Sequence, residues 1–219
     1  MPTRYSTQLL RVLAEHEDAT TGHLQAFERP PGGPWQAVGE VIPVTLGRSG
    51  LAWGRGRHPA QPGRQKQEGD GRAPAGVFAL TALFGASPNG DYRLPYHPAH
   101  PDLKGVDDPA SRHYNCLVDA RHTPRDWASC EDMLRPDARY ALGAVVAHNS
   151  NPPLPGAGSC IFLHVWESPG APTAGCTAMN LIHMRQLAHW LDPARQPLLA
   201  QLPEADYAAL QVAWDLPRR

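Results

Sequence analysis

Cys160-Ile-Phe-Leu-His164-Val-Trp-Glu-Ser-Pro-Gly-Ala-Pro-Thr173-Ala-Gly-Cys176-Thr-Ala-Met-Asn180 is the stretch that decides how this chain folds. An apolar run ends in a histidine, a loop of Pro and Gly follows, and a Gly-Cys pair precedes a helical pattern. Read as a strand, the run places Cys160, Phe162 and His164 on one face and Ile161, Leu163 and Val165 on the other, because side chains alternate along extended backbone. The imidazole then sits where the strand enters the loop, and the loop has only to fold back to bring Cys176 against it. Downstream, Leu181, Met184, Leu187, Ala188 and Leu191 recur at helical spacing, with Asn180 placed to cap the first turn. This predicts Cys176 just ahead of a helix N-terminus, whose free N–H groups and partial positive charge lower a thiol's pKa and stabilise an oxyanion. A histidine in reach helps to form the thiolate, the reactive species.

The pattern of residues adds to the spacing. His164 followed by Thr173-Ala-Gly175-Cys176 resembles the active-site motif of the L,D-transpeptidase (YkuD-like) catalytic domain family, in which a His precedes a Ser-x-Gly-Cys segment that carries the nucleophile. Pro74-Ala-Gly76-Val-Phe78 is similar to the family's Pro-x-Gly-x-Phe strand start. Asp107-Asp-Pro-Ala-Ser-Arg-His-Tyr114-Asn115 and Gly158-Ser-Cys-Ile-Phe-Leu-His164 resemble segments of a divergent branch. The motif-bearing core runs from Val44 to Leu191. Two positions depart from the family pattern: Thr173 stands where Ser is usual, and Ala178 stands where many members have an Arg. Thr keeps the hydroxyl, whereas Ala178 removes the usual contact to a substrate carboxylate.

The resemblance implies a mainly β fold, β with minor α, built of curved mixed sheets with C-terminal helices. It implies an L,D-transpeptidase in which the Cys176 thiolate attacks an amide carbonyl of a peptidoglycan stem peptide and His164 manages the protons. Thr173 and Gly175 belong to the same catalytic set, Thr173 keeping the family's hydroxyl contact, and N–H groups around Ala174 to Cys176 hold the oxyanion. Substrate contacts are expected from Tyr114, Asn115, His148, Asn149 and Trp166. No cofactor and no metal are required, carbapenems are expected to acylate the cysteine, and the periplasm or cell envelope is the expected location. The same residues with water as acceptor make an L,D-carboxypeptidase or another cysteine amidase. From other classes come a zinc protein built on Cys160, His164, Cys176 and His148, whose spacing matches no common zinc site, and a wall-binding domain without activity, against which the intact Gly175-Cys176 and His164 speak.

Composition narrows the field. A chain of 219 residues, 42% hydrophobic, can bury one sizeable core, and its length requires no second domain, so residues 1–219 are read as one domain. Twenty-four prolines and 20 glycines favour loops and strands over long helices. A net charge of -1 supplies no basic field for nucleic acid. No apolar run is long enough to span a membrane, and Met1-Pro-Thr-Arg-Tyr-Ser lacks the apolar core of a secretory signal. Export by another route, a signal removed beforehand, or a cytosolic site are the readings this leaves. Cys116, Cys130, Cys160 and Cys176 form no Cys-x-x-Cys pair; apart from the nucleophile they read as small, at least half-buried hydrophobes, and only Cys116 with Cys130 is considered as a disulfide.

In chain order, Tyr5 to Ala14 and His23 to Arg29 alternate as two strands, and Trp35 to Ile42 and Pro43 to Leu46 continue the pattern. Gly54 to Ala75 reads as a polar surface loop with solvated Arg55, Arg57, Arg64 and Lys66; its Gly69-Asp-Gly-Arg72 lacks the Lys-Ser/Thr of a phosphate loop. Val77 to Leu83 is a core strand. Phe84 to Pro109 reads as a long loop rimming a cleft, at whose end Tyr114 and Asn115 read, on residues alone, as a turn with a packed aromatic. Glu131 to Leu134 suggests a helical turn. Tyr140 to Ala147 is a buried strand beside Cys160 to Trp166, a pairing that predicts His148 near His164. Pro203 to Trp214 is a second helix with Leu202, Tyr207, Leu210 and Trp214 as its apolar stripe.

Overall fold

The alternation in the quoted stretch holds in space. In the computed structural model, which describes residues 1–218, Ile161, Leu163 and Val165 enter the main core while Cys160 and Phe162 join a second apolar cluster on the opposite face. The strands are β1 (Gln8–Ala14), β2 (Thr21–Glu28), β3 (Gln36–Thr45), β4 (Leu51–Trp53), β5 (Ala73–Gly85), β6 (Tyr96–Pro98) and β7 (Leu103–Val106). They continue as β8 (Cys116–Asp119), β9 (Glu131–Asp132), β10 (Leu142–Val146), β11 (Phe162–Val165), β12 (Thr177–Met179) and β13 (Leu198–Pro203), with helices α1 (Leu181–Trp190) and α2 (Glu204–Leu210).

Neighbouring strands of the large mixed sheet run β10-β11-β12-β3-β2-β1-β13-β5, and β10 pairs back onto β5, so the sheet closes on itself. Closure removes the unpaired edges that an open sheet exposes. The fold is therefore mainly β with curved mixed sheets, as expected. Met184, Leu187 and Ala188 of α1 pack into the main core. Asn180 caps that helix as its position predicts, its Oδ1 accepting from His183 N–H at 2.8 Å. A second sheet, β8-β7-β9, packs Leu103 and Leu117 against the cluster formed by Phe84, Cys160, Phe162 and Cys176.

Several local expectations change. The two strands read across residues 35–46 are one strand, β3, which tolerates Pro43 within its pairing to β2. The segment 84–109 is not a plain loop, since it contributes β6 beside β5 and β7 at the centre of the small sheet. Glu131 and Asp132 do not start a helical turn; they extend along Gly105 and Lys104 of β7. β13 escaped the sequence reading because its six residues are all buried, so it shows no alternation. Its Gln201 is wholly buried and satisfied, donating to Pro74 O at 2.9 Å and accepting from Thr177 Oγ1 at 2.6 Å. That pair ties the residue after Cys176 to the middle of the closed sheet. Lys66 is not solvated as expected but buried against Asp70, at 2.6 Å.

Candidate active site

β11 carries His164 to the end of its strand, and the Pro/Gly loop turns the chain back so that β12 lies parallel to β11 with Ala178 beside His164. Cys176 thus stands at the start of a strand. Thr177–Met179 and Asn180 separate it from α1, so the helix N-terminus expected at the thiol is not there, and its field falls off within a turn. What shapes the turn is Thr173. Its backbone bridges to Leu46 O and Arg48 N, each at 2.8 Å. Its Oγ1 donates to Cys176 O at 2.6 Å and accepts from Gly175 N–H at 3.1 Å. Gly175 has φ +153° and its bare Cα faces Arg72 O, which a Cβ would approach at 3.0 Å; only glycine takes that conformation without strain.

The Cys176 thiol is buried, accepts from Phe162 N–H at 3.3 Å and points its own hydrogen at Cys160 O, 3.6 Å away. Burial pushes its pKa up to about 12, and the nearby charge of Glu131 adds to the effect, while the Phe162 N–H opposes it. The Cys176 thiol therefore rests protonated, the reverse of the low-pKa thiolate that a helix N-terminus would have made. His164 is buried as well, and desolvation lowers its pKa to about 4. Its Nδ1 lies 2.7 Å from Val165 O; because a carbonyl only accepts, Nδ1 carries the proton and Nε2 is left as the basic nitrogen. Among the described residues no hydrogen bond joins Cys176 to His164.

Both side chains border one cleft of about 530 Å³, lined also by Thr173, Ala174, Trp166, Tyr140, Glu131, Arg135 and Arg139. Tyr140 is its inner wall. Its ring meets His164 edge-on at 5.4 Å and Phe162 at 5.7 Å, and Phe84 completes the packing at 5.3 Å. Gly143, opposite His164 in the β10–β11 pairing, makes room for that stack, since a Cβ there would meet Phe84 at 2.4 Å. The Tyr140 hydroxyl donates to Glu131. Arg135 and Arg139 both hold Asp137, at 3.0 and 2.7 Å, which keeps that carboxyl far below the usual range. None of Glu131, Arg135, Arg139 or Tyr140 was singled out from sequence. The charge alternation Arg135-x-Asp137-x-Arg139 is the one signal that was open to reading.

Trp166 lies in the cleft as the sequence reading expected. The other four expected substrate contacts do not line it. Tyr114 is buried with its hydroxyl on Glu68 at 2.5 Å. Asn115 sits at φ 62°, donates to His148 O and Asn149 O at 2.8 Å, and accepts from Cys160 N–H at 2.9 Å. Asn149 satisfies Leu154 and Gly158. His148 is not near His164: Gly143, not His148, is opposite it, and five residues of strand span about 17 Å. The same separation breaks up the zinc set of Cys160, His164, Cys176 and His148, and no group of three or more His, Cys, Asp or Glu is placed to hold a metal among the described residues. All four cysteines are free, and Cys116 is exposed rather than buried.

With fold and cleft in view, the family can be stated. A family model for the L,D-transpeptidase catalytic domain, YkuD, matches residues 37–198, well over half of the chain, and the chain belongs to that family. Comparison with curated proteins gave no match. No helix among the described residues is long and apolar enough to cross a membrane.

Proposed function

We propose that the protein is an L,D-transpeptidase acting on peptidoglycan stem peptides through an acyl-enzyme on Cys176, at the cell envelope. The observation that carries this reading is the meeting, in one cleft, of a buried Cys176 and a neutral His164 whose Nε2 is uncommitted. In the reaction, the thiol rotates from Cys160 O toward the imidazole and gives its proton to Nε2 as sulfur attacks the amide carbonyl. The developing oxyanion is met by N–H groups of residues 174–176, of which that of Gly175 is shared with Thr173 Oγ1. Collapse breaks the C–N bond, and the departing amine takes the proton from the imidazolium. An amine from a second stem then attacks the thioester, forming the new amide and returning the thiol.

A neutral thiol–imidazole pair suits a buried site, because charge separation is deferred until the substrate is present to stabilise it. Val165 O keeps Nδ1–H in place throughout and favours the imidazolium when it forms. Ala178 offers no cation to a substrate carboxylate; Arg135 and Arg139, which line the cleft, supply that charge. The test is incubation with purified muropeptides followed by mass spectrometry. A cross-linked product that disappears in Cys176→Ala is expected, and release of the terminal residue without a cross-link would move the assignment to a carboxypeptidase. A carbapenem should add one drug mass to the protein and none to Cys176→Ala.

A further inference from the structure

Three carboxylates line the cleft, Glu131, Asp132 and Glu167, and Asp137 stands behind two of its arginines. Asp132 is paired with Lys104, and Asp137 with both Arg135 and Arg139. Glu167 is exposed at the rim. Glu131 is different. It is half-buried, and among the described residues it takes one hydrogen bond, from Tyr140, and is paired with no cation. Its charge is the strongest single electrostatic influence on the Cys176 thiol. A carboxylate that lines the same cleft as the Cys176 sulfur and has no cation of its own is built to receive one.

Resting on the transpeptidase reading above, we propose that Glu131 is the acceptor-recognition residue, binding the ammonium group of the incoming amine and taking its proton. An amine must be unprotonated to attack, yet it arrives in neutral water as an ammonium ion. Glu131 attracts R–NH3⁺, accepts one proton to become the neutral acid, and releases R–NH2 beside the thioester. Nitrogen then forms the C–N bond as the C–S bond breaks. The second proton shed by nitrogen passes to His164 Nε2 and on to the departing sulfur, and Glu131 returns its proton to solvent. Burial already raises the Glu131 pKa, with Tyr140 and Arg135 opposing and Asp107 and Glu68 assisting, which brings the carboxylate closer to the range of a useful base. Tyr140 positions it: the hydroxyl fixes one carboxylate oxygen and leaves the other for the amine.

Two measurements on Glu131→Gln test this. In the first, acyl-enzyme on Cys176 is offered glycinamide, an ammonium at neutral pH, or hydroxylamine, which is largely uncharged there. The glycinamide-to-hydroxylamine rate ratio should fall at least about tenfold in the variant. Equal slowing with both acceptors would reduce Glu131 to a structural support for Tyr140 and overturn the proposal. In the second, Cys176 of the unacylated protein is modified with 2-aminoethyl or 2-sulfonatoethyl methanethiosulfonate and followed by peptide mass spectrometry. The cation-over-anion preference should drop by about tenfold. An unchanged preference overturns the ammonium site even if no acyl transfer is ever detected, so failure here is separate from failure of the transpeptidase reading.

Discussion

His148 and His164 lie at opposite ends of the β10–β11 region, and they have nearly the same electrostatics. Each is buried, and desolvation brings each pKa to about 4. The difference is in the hydrogen bonds. His148 accepts from Arg55 N–H at Nδ1, 3.2 Å, and donates from Nε2 to Ala157 O, 2.9 Å, so both nitrogens are spent on the fold. Gly54 and Gly158 press against the same ring, each too close to carry a Cβ without displacement. His164 spends one nitrogen and borders a cleft with the other. A perturbed pKa marks burial in both cases; only His164 keeps a nitrogen for the proton transfer proposed above.

Substitution should separate the two most sharply. His164→Ala is expected to slow acylation of Cys176 by about 10²- to 10⁴-fold with the fold retained. His148→Ala should leave the acylation step within a few-fold and instead lower stability by about 1–3 kcal/mol, read by urea denaturation, because it strands Arg55 N–H and Ala157 O. Loss of acylation in the His148 variant at full stability would collapse the distinction.

Acid should affect the pair together. Each imidazole stays neutral in the fold down to about 4 but protonates near 6.5 when unfolded, so the unfolded chain binds more protons throughout that window. Stability is then complete above about pH 6.5 and falls as pH drops toward 4, by on the order of 3 kcal/mol for each histidine. His148→Gln should remove about half of that slope in denaturation midpoints measured from pH 7 to 4.5. Cysteine labelling gives a smaller contrast. Iodoacetamide at pH 7 should label exposed Cys116 before Cys176, and Cys176 labelling should keep rising well past the ~8.5 midpoint of a free thiol. Saturation of Cys176 near neutral pH would restore the thiolate expected from sequence. The least effect is predicted at Thr173: Ser keeps the turn, while Val loses the bonds to Cys176 O and Gly175 N and costs about 1 kcal/mol each, seen as a modest fall in kcat/KM.

Much of this was legible in the sequence, for physical reasons. Period-two alternation assigned both faces of the Cys160–Val165 run, and the Asn180 cap was readable because its hydrogen bond is local. The Thr173-Ala-Gly175-Cys176 turn was legible as a motif, since both hydrogen bonds of the Thr173 hydroxyl lie within it. What failed depended on partners far away in the chain. Glu131 becomes a strand only because Gly105 runs beside it, and it reaches the cleft that Cys176 borders only as part of the small sheet. His148 was misplaced because strand adjacency was read without register, and an antiparallel pair sends the two chain directions to opposite ends. Tyr114 and Asn115 follow the residue-based reading, a turn with a packed aromatic, rather than the cleft role suggested by resemblance.

The parallel pairing of β1 with β13 joins Leu9 to Leu198 and Leu13 to Leu202. During synthesis the first strand therefore leaves the ribosome long before its neighbour exists, with only the β2 hairpin to cover one side. Until some 190 further residues have been made, its other edge is open to mispairing, and closing so long a loop is slow. His164 and Cys176 lie on the late-arriving half of the ring, so a chain interrupted before β13 would hold both in an unclosed and unprotected sheet.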